Sequence, residues 1–269
     1  MRERLLRGFA SILGGDIARF LANIMITPFL VRLLTTDQYG TYVFLIAVFE
    51  VSYLFANAGL TNSARKFIAE KRDMLAWREH VAGFVFKTGF TYLFVLLCFV
   101  FLSAKLGFVR TLFDGLVTQY LSLLALLLIG HQLFLLSTDT LMGLSLEQYS
   151  EPIRSLQRIL FGVIAVPLAY EGYGVEGILW SHIAASFVAG ALSLAVLTRR
   201  LDLSRVIGRR PSAFPAREIL HFNVSTFIFR LMFRSFYYAD VVLVYTLLGG
   251  ESTAYYKAAV IVAELLWFV

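Results

Sequence analysis

The sequence is poor in the residues that build cross-links and metal centres, with one cysteine, Cys98, and four histidines among 269 residues. A single cysteine cannot form an internal disulfide, and its place in an apolar run argues against a cysteine-based metal site. There is also no metal-ligand spacing, no glycine-rich phosphate loop and no nucleophile motif. We therefore expect a protein that is not an enzyme and that carries no cofactor.

Charge is scarce as well. Charged residues make up 16% of the chain, whereas soluble domains have about 25%, and 59% of the residues are apolar, with a mean hydropathy of +0.75. The apolar runs are long and do not alternate with polar residues, which favours membrane-spanning helices over barrel strands. The sequence predicts an all-α membrane protein with about eight spans of about 20 residues or more, at 9–34, 39–60, 81–105, 116–142, 153–170, 174–198, 219–248 and 252–269.

The basic residues are distributed unevenly between the two sides of these spans. Sixteen lie on the side of the N-terminus, including Arg154 and Arg158 in the connection after span four, and only Arg32, Lys105 and Arg110 lie on the other. Basic connections stay in the cytoplasm, so we predict a multi-pass cell-membrane (plasma or inner membrane) protein with a cytoplasmic N-terminus. The net charge of +6 then reflects topology and attraction to lipid headgroups, and not nucleic-acid binding, for which no motif is present.

A weak internal repeat relates the first two spans to the last two. Shifting the sequence by 214 positions places Leu33-Leu34 on Leu247-Leu248, Asp37 on Glu251 and Glu50 on Glu264. Such a parallel repeat is a known transporter device, and the basic, proline-containing connection separates its copies. We predict a six-helix lobe at 1–198, a cytoplasmic linker at 199–217 and the start of a second lobe at 218–269. The chain is then expected to be a fragment of a protein with about twelve spans.

Charged side chains inside the predicted spans are the candidate site. Arg230 and Arg234 of span seven are four residues apart and share a helix face, and each arginine at membrane depth costs at least about 2.5–3.5 kcal/mol. Such residues must face water, protein or an anionic ligand. The repeat makes spans one, two, seven and eight equivalent, and we predict that these spans line one cavity. Its candidate residues are Asp16, Arg19, Asn23, Glu50, Asn57, Arg230, Arg234, Tyr237, Lys257 and Glu264.

Several of these residues also have a structural interpretation. Asp16 and Arg19 are spaced to form an i,i+3 ion pair near the headgroups, and Glu50 could cap a neighbouring helix or pair with a lysine. Lys257 is placed to reach the membrane surface. His131 and His182 are interpreted as packing or interhelical hydrogen-bonding residues. The arginine pair is harder to explain in this way, because a planar guanidinium is suited to phosphate and two on one face can clamp a diphosphate.

Two stretches resemble a known family. The first is residues 33–42, Leu-Leu-Thr-Thr-Asp-Gln-Tyr-Gly-Thr-Tyr, continuing through Gly59-Leu60 to Arg65, and the second is residues 240–259. They are similar to the polysaccharide transporter family, the Wzx-type oligosaccharide flippases of the MOP/MATE-like superfamily. The resemblance implies two six-helix lobes, here a MATE-like N-terminal lobe and two helices of the next. It also implies alternating access, a cavity lined by spans one, two, seven and eight, and flipping of polyprenyl-diphosphate-linked oligosaccharide to the outer leaflet.

Two other functions are weighed against the flippase. A MATE-type drug or cation antiporter would favour an acidic cavity with a lone carboxylate, which the arginine pair argues against. A membrane glycosyltransferase or polymerase would need a large catalytic loop, whereas the predicted outer connections are short. The expected partners are the lipid-linked oligosaccharide and membrane lipids, with no nucleic acid. Whether H⁺ or Na⁺ couples transport is left open.

Overall fold

The protein is a bundle of helices in the computed structural model, which describes residues 2–70, 72–113 and 115–267. Its described side chains exclude those of residues 2–7, 9, 110, 112, 113 and 264–267. No strand occurs in the described part, so the predicted all-α class is confirmed. The helices are α1 Arg2–Leu33, α2 Thr36–Asn57, α3 Leu60–Ala69, α4 Trp77–Lys105, α5 Phe108–Phe113, α6 Leu116–Gly143, α7 Glu147–Tyr170, α8 Gly174–Thr198, α9 Leu203–Ile207 and α10 Ala216–Trp267.

Six of the described helices are long and apolar enough to cross a membrane: α1 from Ala10 onward, α2, α4, α6, α7 and α8. They coincide with the first six predicted spans. The predicted count of eight is not confirmed, because α10 is not among the six, and its charged residues lower its hydropathy. α10 nevertheless breaks at Gly249 (φ 81°, ψ −176°), between predicted spans seven and eight. Only glycine adopts such a backbone readily.

A turn at the end of α2 brings polar residues of α3 beside α10. α2 begins with a capping box between Thr35 and Gln38. It ends at Ala58 and Gly59, which both have positive φ (43° and 83°). The carbonyl of Asn223 on α10 lies so close to Gly59 that a Cβ there would overlap it. Glycine is therefore required at this turn both by its φ and by the approach of α10.

α2 and α10 run antiparallel and stay in contact along almost the whole of α2. At one end, Gly40 meets Gly250, and the ring of Phe44 stacks on Tyr245 at 4.0 Å between centroids. At the other, Phe55 packs on Phe227 at 5.5 Å. We call the end where α1, α4, α7 and α10 begin the basic end, because the basic connections lie there. The α2–α10 contact holds the charged face of α10 against protein.

α1 packs instead along α7, with both helices running in the same direction. Gly15 of α1 faces Glu151, and Gly162 of α7 faces Ile26, so each glycine gives the partner side chain room. α1 shares an apolar cluster with α2 through residues of its second half, such as Ile26 and Leu30. Many of its other apolar side chains are exposed, which suits a lipid-facing helix.

The predicted linker is folded onto the bundle. Val206 of α9 approaches Gly83 of α4 so closely that a Cβ would overlap its carbonyl oxygen. Phe214 is 8% exposed and packs between the rings of Trp77 and Phe84. Residues 199–217 are thus held against α4. The division into two lobes stays a prediction.

We expect Gly40→Ala to lower the free energy of unfolding by about 1–3 kcal/mol, the usual cost of overpacking a close contact. The physical reason is the overlap of the new methyl group with the Gly250 carbonyl. Thermal unfolding in detergent measures the effect. The control is Gly14→Ala, because a Cβ there would meet no described atom within 4 Å apart from its chain neighbours and its own helix backbone, and it should be neutral or stabilise by up to about 1 kcal/mol. Equal effects of the two substitutions would contradict the close α2–α10 approach.

A pH-dependent ion pair joins the first turn of α10 to the segment after α3. Arg72 donates to both carboxylate oxygens of Glu218 at 2.6 and 2.9 Å, and these bonds hold the pKa of Glu218 below its ordinary value. The lowered pKa means that the stabilisation is complete above the ordinary glutamate pKa of about 4.3. It is lost as the pH falls through the lowered value.

We therefore expect the native protein to unfold at a higher temperature than Glu218→Gln at pH 7, with a gap that closes in acid. Arg72 and Glu218 are 31% and 50% exposed. The temperature gap therefore corresponds to a difference of no more than about 1 kcal/mol in the free energy of unfolding. Thermal unfolding at several pH values measures it. In an Arg72→Met background the gap should vanish at every pH. A gap that widened in acid would show that this ion pair is not its source.

Candidate functional site

The two arginines of α10 have different partners. Arg234 donates to Glu50 of α2 at 3.0 Å and to the hydroxyl of Tyr238 at 2.9 Å. Arg230 donates to the side-chain oxygens of Asn62 at 2.8 Å and Thr61 at 3.3 Å, both on α3. Arg230 is half-buried and forms no ion pair with any described residue. Arg234 is therefore neutralised by a carboxylate, whereas Arg230 is held by neutral groups alone.

Arg230 stands at the end of a chain of hydrogen bonds. Asn57, 2% exposed, donates to the Tyr53 hydroxyl at 2.9 Å and accepts from Thr61 at 3.2 Å. Thr61 in turn accepts from Arg230. Next to this chain, Ser63 donates to the buried amide oxygen of Asn223. These bonds fix α10 to the α2–α3 turn. They also use polar atoms of Asn57 inside the protein, where Asn57 links Tyr53 to Thr61 and through it to Arg230.

The candidate residues of α1 are bound to α7. Arg19 donates to Glu151 at 2.7 Å and pairs with Asp16, so the i,i+3 pair of the structural interpretation is present. Asn23 accepts a hydrogen bond from Arg158. Asp16 and Asn23 are exposed, whereas Glu151 is 1% exposed. The structure thus divides the candidate residues into two groups, one between α2, α3 and α10 and one between α1 and α7.

The remaining candidates lie outside both groups. Tyr237 is 49% exposed and packs on Phe233, while its neighbour Tyr238 makes the contact with Arg234. Lys257 is half-buried and lies beyond the Gly249 break. The side chain of Glu264 lies outside the described residues.

The sequence analysis missed a charged face on α7. Glu151, Arg154 and Arg158 follow one another at i, i+3 and i+7, the spacing of Asp16, Arg19 and Asn23 on α1. This match was a readable signal. It was lost because Arg154 and Arg158, although inside predicted span five, were counted with the basic connection before it. α7 begins at Glu147 and carries both inside the helix, and the predicted orientation stays a prediction.

A buried carboxylate binds two arginines close to the basic end. Asp139 of α6 is 3% exposed and accepts from Arg154 of α7 and Arg65 of α3. Two guanidinium groups on one carboxylate leave one positive charge in excess. Three helices are joined through this one side chain. Its loss would leave two cations facing each other with no anion between them.

The charges of these groups do not balance. Among the described residues they include six arginines and four carboxylates, and the ion pairs involve every one of these side chains except Arg158 and Arg230. These two guanidinium groups hydrogen-bond only to amide and hydroxyl oxygens. A site with this excess of cations is suited to an anion, and the rigid donor fork of arginine matches phosphate and carboxylate groups.

The two histidines sit among aromatic rings. His182 Nε2 lies 3.0 Å from the Tyr42 hydroxyl, and its ring stacks on Phe161 at 3.8 Å between centroids. His131 meets the rings of Phe49 and Tyr53 edge-on. These contacts agree with the packing interpretation of both residues.

The fold and the charged interior define a multi-pass membrane protein of the transporter class. A family model described as "Polysaccharide biosynthesis protein" matches residues 5–266. The chain therefore belongs to this family, that of the Wzx-type polysaccharide transporters and flippases of the MOP superfamily. The resemblance drawn from the sequence is confirmed. Neither the curated proteins nor the solved structures gave a match.

We expect Asp139→Asn to lower the free energy of unfolding by about 3–5 kcal/mol, because it removes the only carboxylate between two arginines. Thermal unfolding of the purified protein in detergent measures the loss. Glu70→Gln is the matched control, since Glu70 also pairs with an arginine but is 31% exposed, and it should cost less than about 1 kcal/mol. If both variants lost the same stability, Asp139 would not be the link between the three helices.

Proposed function

We propose that the chain takes part in flipping a lipid-linked oligosaccharide, or a related polysaccharide precursor, across the membrane by alternating access. Membership in a family of polysaccharide transporters supports this reading. The observation that carries the proposal is Arg230, a half-buried guanidinium that only neutral groups hold. The cargo that fits best is an amphiphile whose anionic part can supply the missing counter-charge, and polyprenyl diphosphate is such a group.

Arg230 is the first contact for the diphosphate in this proposal. Its acceptors, Thr61 and Asn62, come just after α2 ends at Asn57, near the basic end. With the N-terminus in the cytoplasm, as the distribution of basic residues favours, this end faces the leaflet where lipid-linked sugars would load. The membrane would be the plasma or inner membrane. H⁺ or Na⁺ remain the candidates for a coupling ion.

Arg234 has a different role in the proposal. It is bound to Glu50, so a clamp made of both arginines requires Arg234 to exchange this carboxylate for a phosphate oxygen. The exchange would link cargo binding to the contact between α2 and α10. In the proposed domain division, α2 belongs to the lobe at 1–198, α10 begins the lobe at 218–269, and 199–217 joins them. Breaking the Glu50 contact would therefore loosen the two lobes from each other.

Ion pairing weakens the case for a cation antiporter. An antiporter would use a carboxylate that is free to take up its cation. Glu50, Asp139 and Glu151 each accept instead from at least one arginine in the described part of the chain. An assembly enzyme gains no support either, because the described residues include no group of three or more His, Cys, Asp or Glu side chains that could hold a metal ion.

We expect Arg230→Gln to slow flipping of a fluorescent polyprenyl-diphospho-sugar by about tenfold or more, since hydrogen bonds to charged groups are worth about 1.5–3 kcal/mol. The assay uses vesicles containing the intact protein. Arg230→Lys should retain part of the rate, because it keeps the charge but loses the fork. Arg78→Gln, on the exposed surface, is the control and should transport normally. Unchanged transport by an equally abundant Arg230→Gln protein would refute Arg230 as the contact for the diphosphate, and no flipping by the native protein would refute the proposed function.

A further inference from the structure

A second guanidinium that has no counter-charge among the described residues, that of Arg158, lies in the middle of α7. Arg158 is eleven residues from the start of α7 and so about 16 Å along it. Its partner Asn23 is ten residues before the end of α1, about 15 Å from that end. The contact therefore lies near mid-membrane if α1 and α7 span the bilayer. A positive charge at that depth is costly unless a partner or water meets it.

The described residues leave Arg158 only partly satisfied. Its Nε donates to Asn23 Oδ1, and its guanidinium lies 4.8 Å from the centre of the Phe161 ring. The two terminal nitrogens have no described acceptor, although Arg154, one turn earlier, binds Asp139. Asn23 is exposed, so the contact lies at the margin of the α1–α7 interface. A ligand could reach both side chains there.

The donors at this position are already oriented. Because Asn23 Oδ1 accepts from Arg158, the amide nitrogen of Asn23 is left as a donor. The amide and the two terminal nitrogens of Arg158 then offer hydrogen bonds beside one positive charge. This arrangement suits an oxyanion with two or more acceptor oxygens. It disfavours a metal cation or an organic amine.

Arg158 and Arg230 occupy different depths and share no partner. Arg230 is held just past the end of α2 near the basic end, by α3, while Arg158 contacts Asn23, about two thirds of the way along α1. An anion that crosses a low-dielectric layer is stabilised electrostatically by a positive charge along its route. We infer that Arg158 and Asn23 form a second oxyanion subsite, at mid-membrane depth, for an acidic group of the cargo. The inference rests on the proposed function, and the oxyanion is either the diphosphate in passage or a sugar carboxylate.

The first test measures how fast phenylglyoxal, an arginine-specific reagent, labels Arg158 in the purified full chain, with peptides quantified by mass spectrometry. The probes are inorganic diphosphate and glucuronate, with glucose as the neutral control. We expect at least one anion to slow labelling severalfold and glucose to have no effect. Asn23→Leu should abolish the protection, and Arg154, paired with Asp139, is the internal control. Protection by diphosphate alone indicates the carrier, and protection by glucuronate indicates an acidic sugar.

Two outcomes would overturn the subsite: no protection by either anion, or no reaction of Arg158 with excess reagent, which would show that water does not reach it. Neither depends on transport. The subsite can therefore fail while the effect of Arg230→Gln on flipping persists. Conversely, protection of Arg158 together with normal flipping by Arg230→Gln would retain the subsite and reject the role of Arg230, whereas protection of Arg158 without any flipping by the native protein would reject the proposed function.

A stability measurement separates this role from a structural one. Removing a buried charge that has no counter-charge should not weaken the fold, so Arg158→Gln is expected to unfold at the same temperature as the native protein or higher, while losing anion binding. Arg154→Gln, which deprives Asp139 of a partner, should unfold at a lower temperature. If Arg158→Gln unfolded earlier than Arg154→Gln, Arg158 would be a structural residue.

Discussion

A guanidinium group inside a membrane bundle must find a partner, and this requirement determines the arrangement of the charged side chains. Arginine does not lose its proton in proteins, so its charge has to be met by carboxylates, neutral acceptors, water or a ligand. Arg19, Arg65, Arg154 and Arg234 have carboxylate partners. Among the described residues, Arg158 and Arg230 have none, and a function can be sought in this difference.

Two helix–helix contacts, α2 with α10 and α1 with α7, determine where these arginine side chains lie. Antiparallel packing of α2 on α10 depends on the close approach at Gly40 and Gly59, and it brings Arg230 to the turn between α2 and α3. Parallel packing of α1 on α7 depends on Gly15 and Gly162, and it brings Arg158 to Asn23. Small residues at the contacts thus set the depth at which each charge lies.

Apolar length and the paucity of charge were enough to predict the helical class, the first six spans and the break near Gly249. The family followed from the pattern in residues 33–65 and 240–259. The partners of the charges could not be predicted, because i,i+3 and i,i+4 spacing shows which side chains share a face and not which helix that face meets. Asn57 illustrates this limit: it shares a face with Glu50, yet its bonds stay within α2 and α3.

The start of α7 lies six residues before the start of predicted span five. The polar residues before position 153 favoured a connection, but the structure continues α7 back to Glu147, since Glu151, Arg154 and Ser155 find partners on α1 and α6. Tertiary contacts thereby stabilised a helical turn that hydropathy alone did not predict. Glu151 was left outside the predicted span, so the charged face that it forms with Arg154 and Arg158 was not predicted.

The central claim is that the interior selects its cargo by negative charge. The most direct measurement compares binding of a polyprenyl diphosphate with binding of the uncharged polyprenol of the same chain length to the purified protein in nanodiscs. The account predicts that the diphosphate binds at least about tenfold more tightly, which corresponds to about 1.4 kcal/mol. Equal affinity for the two lipids would contradict it.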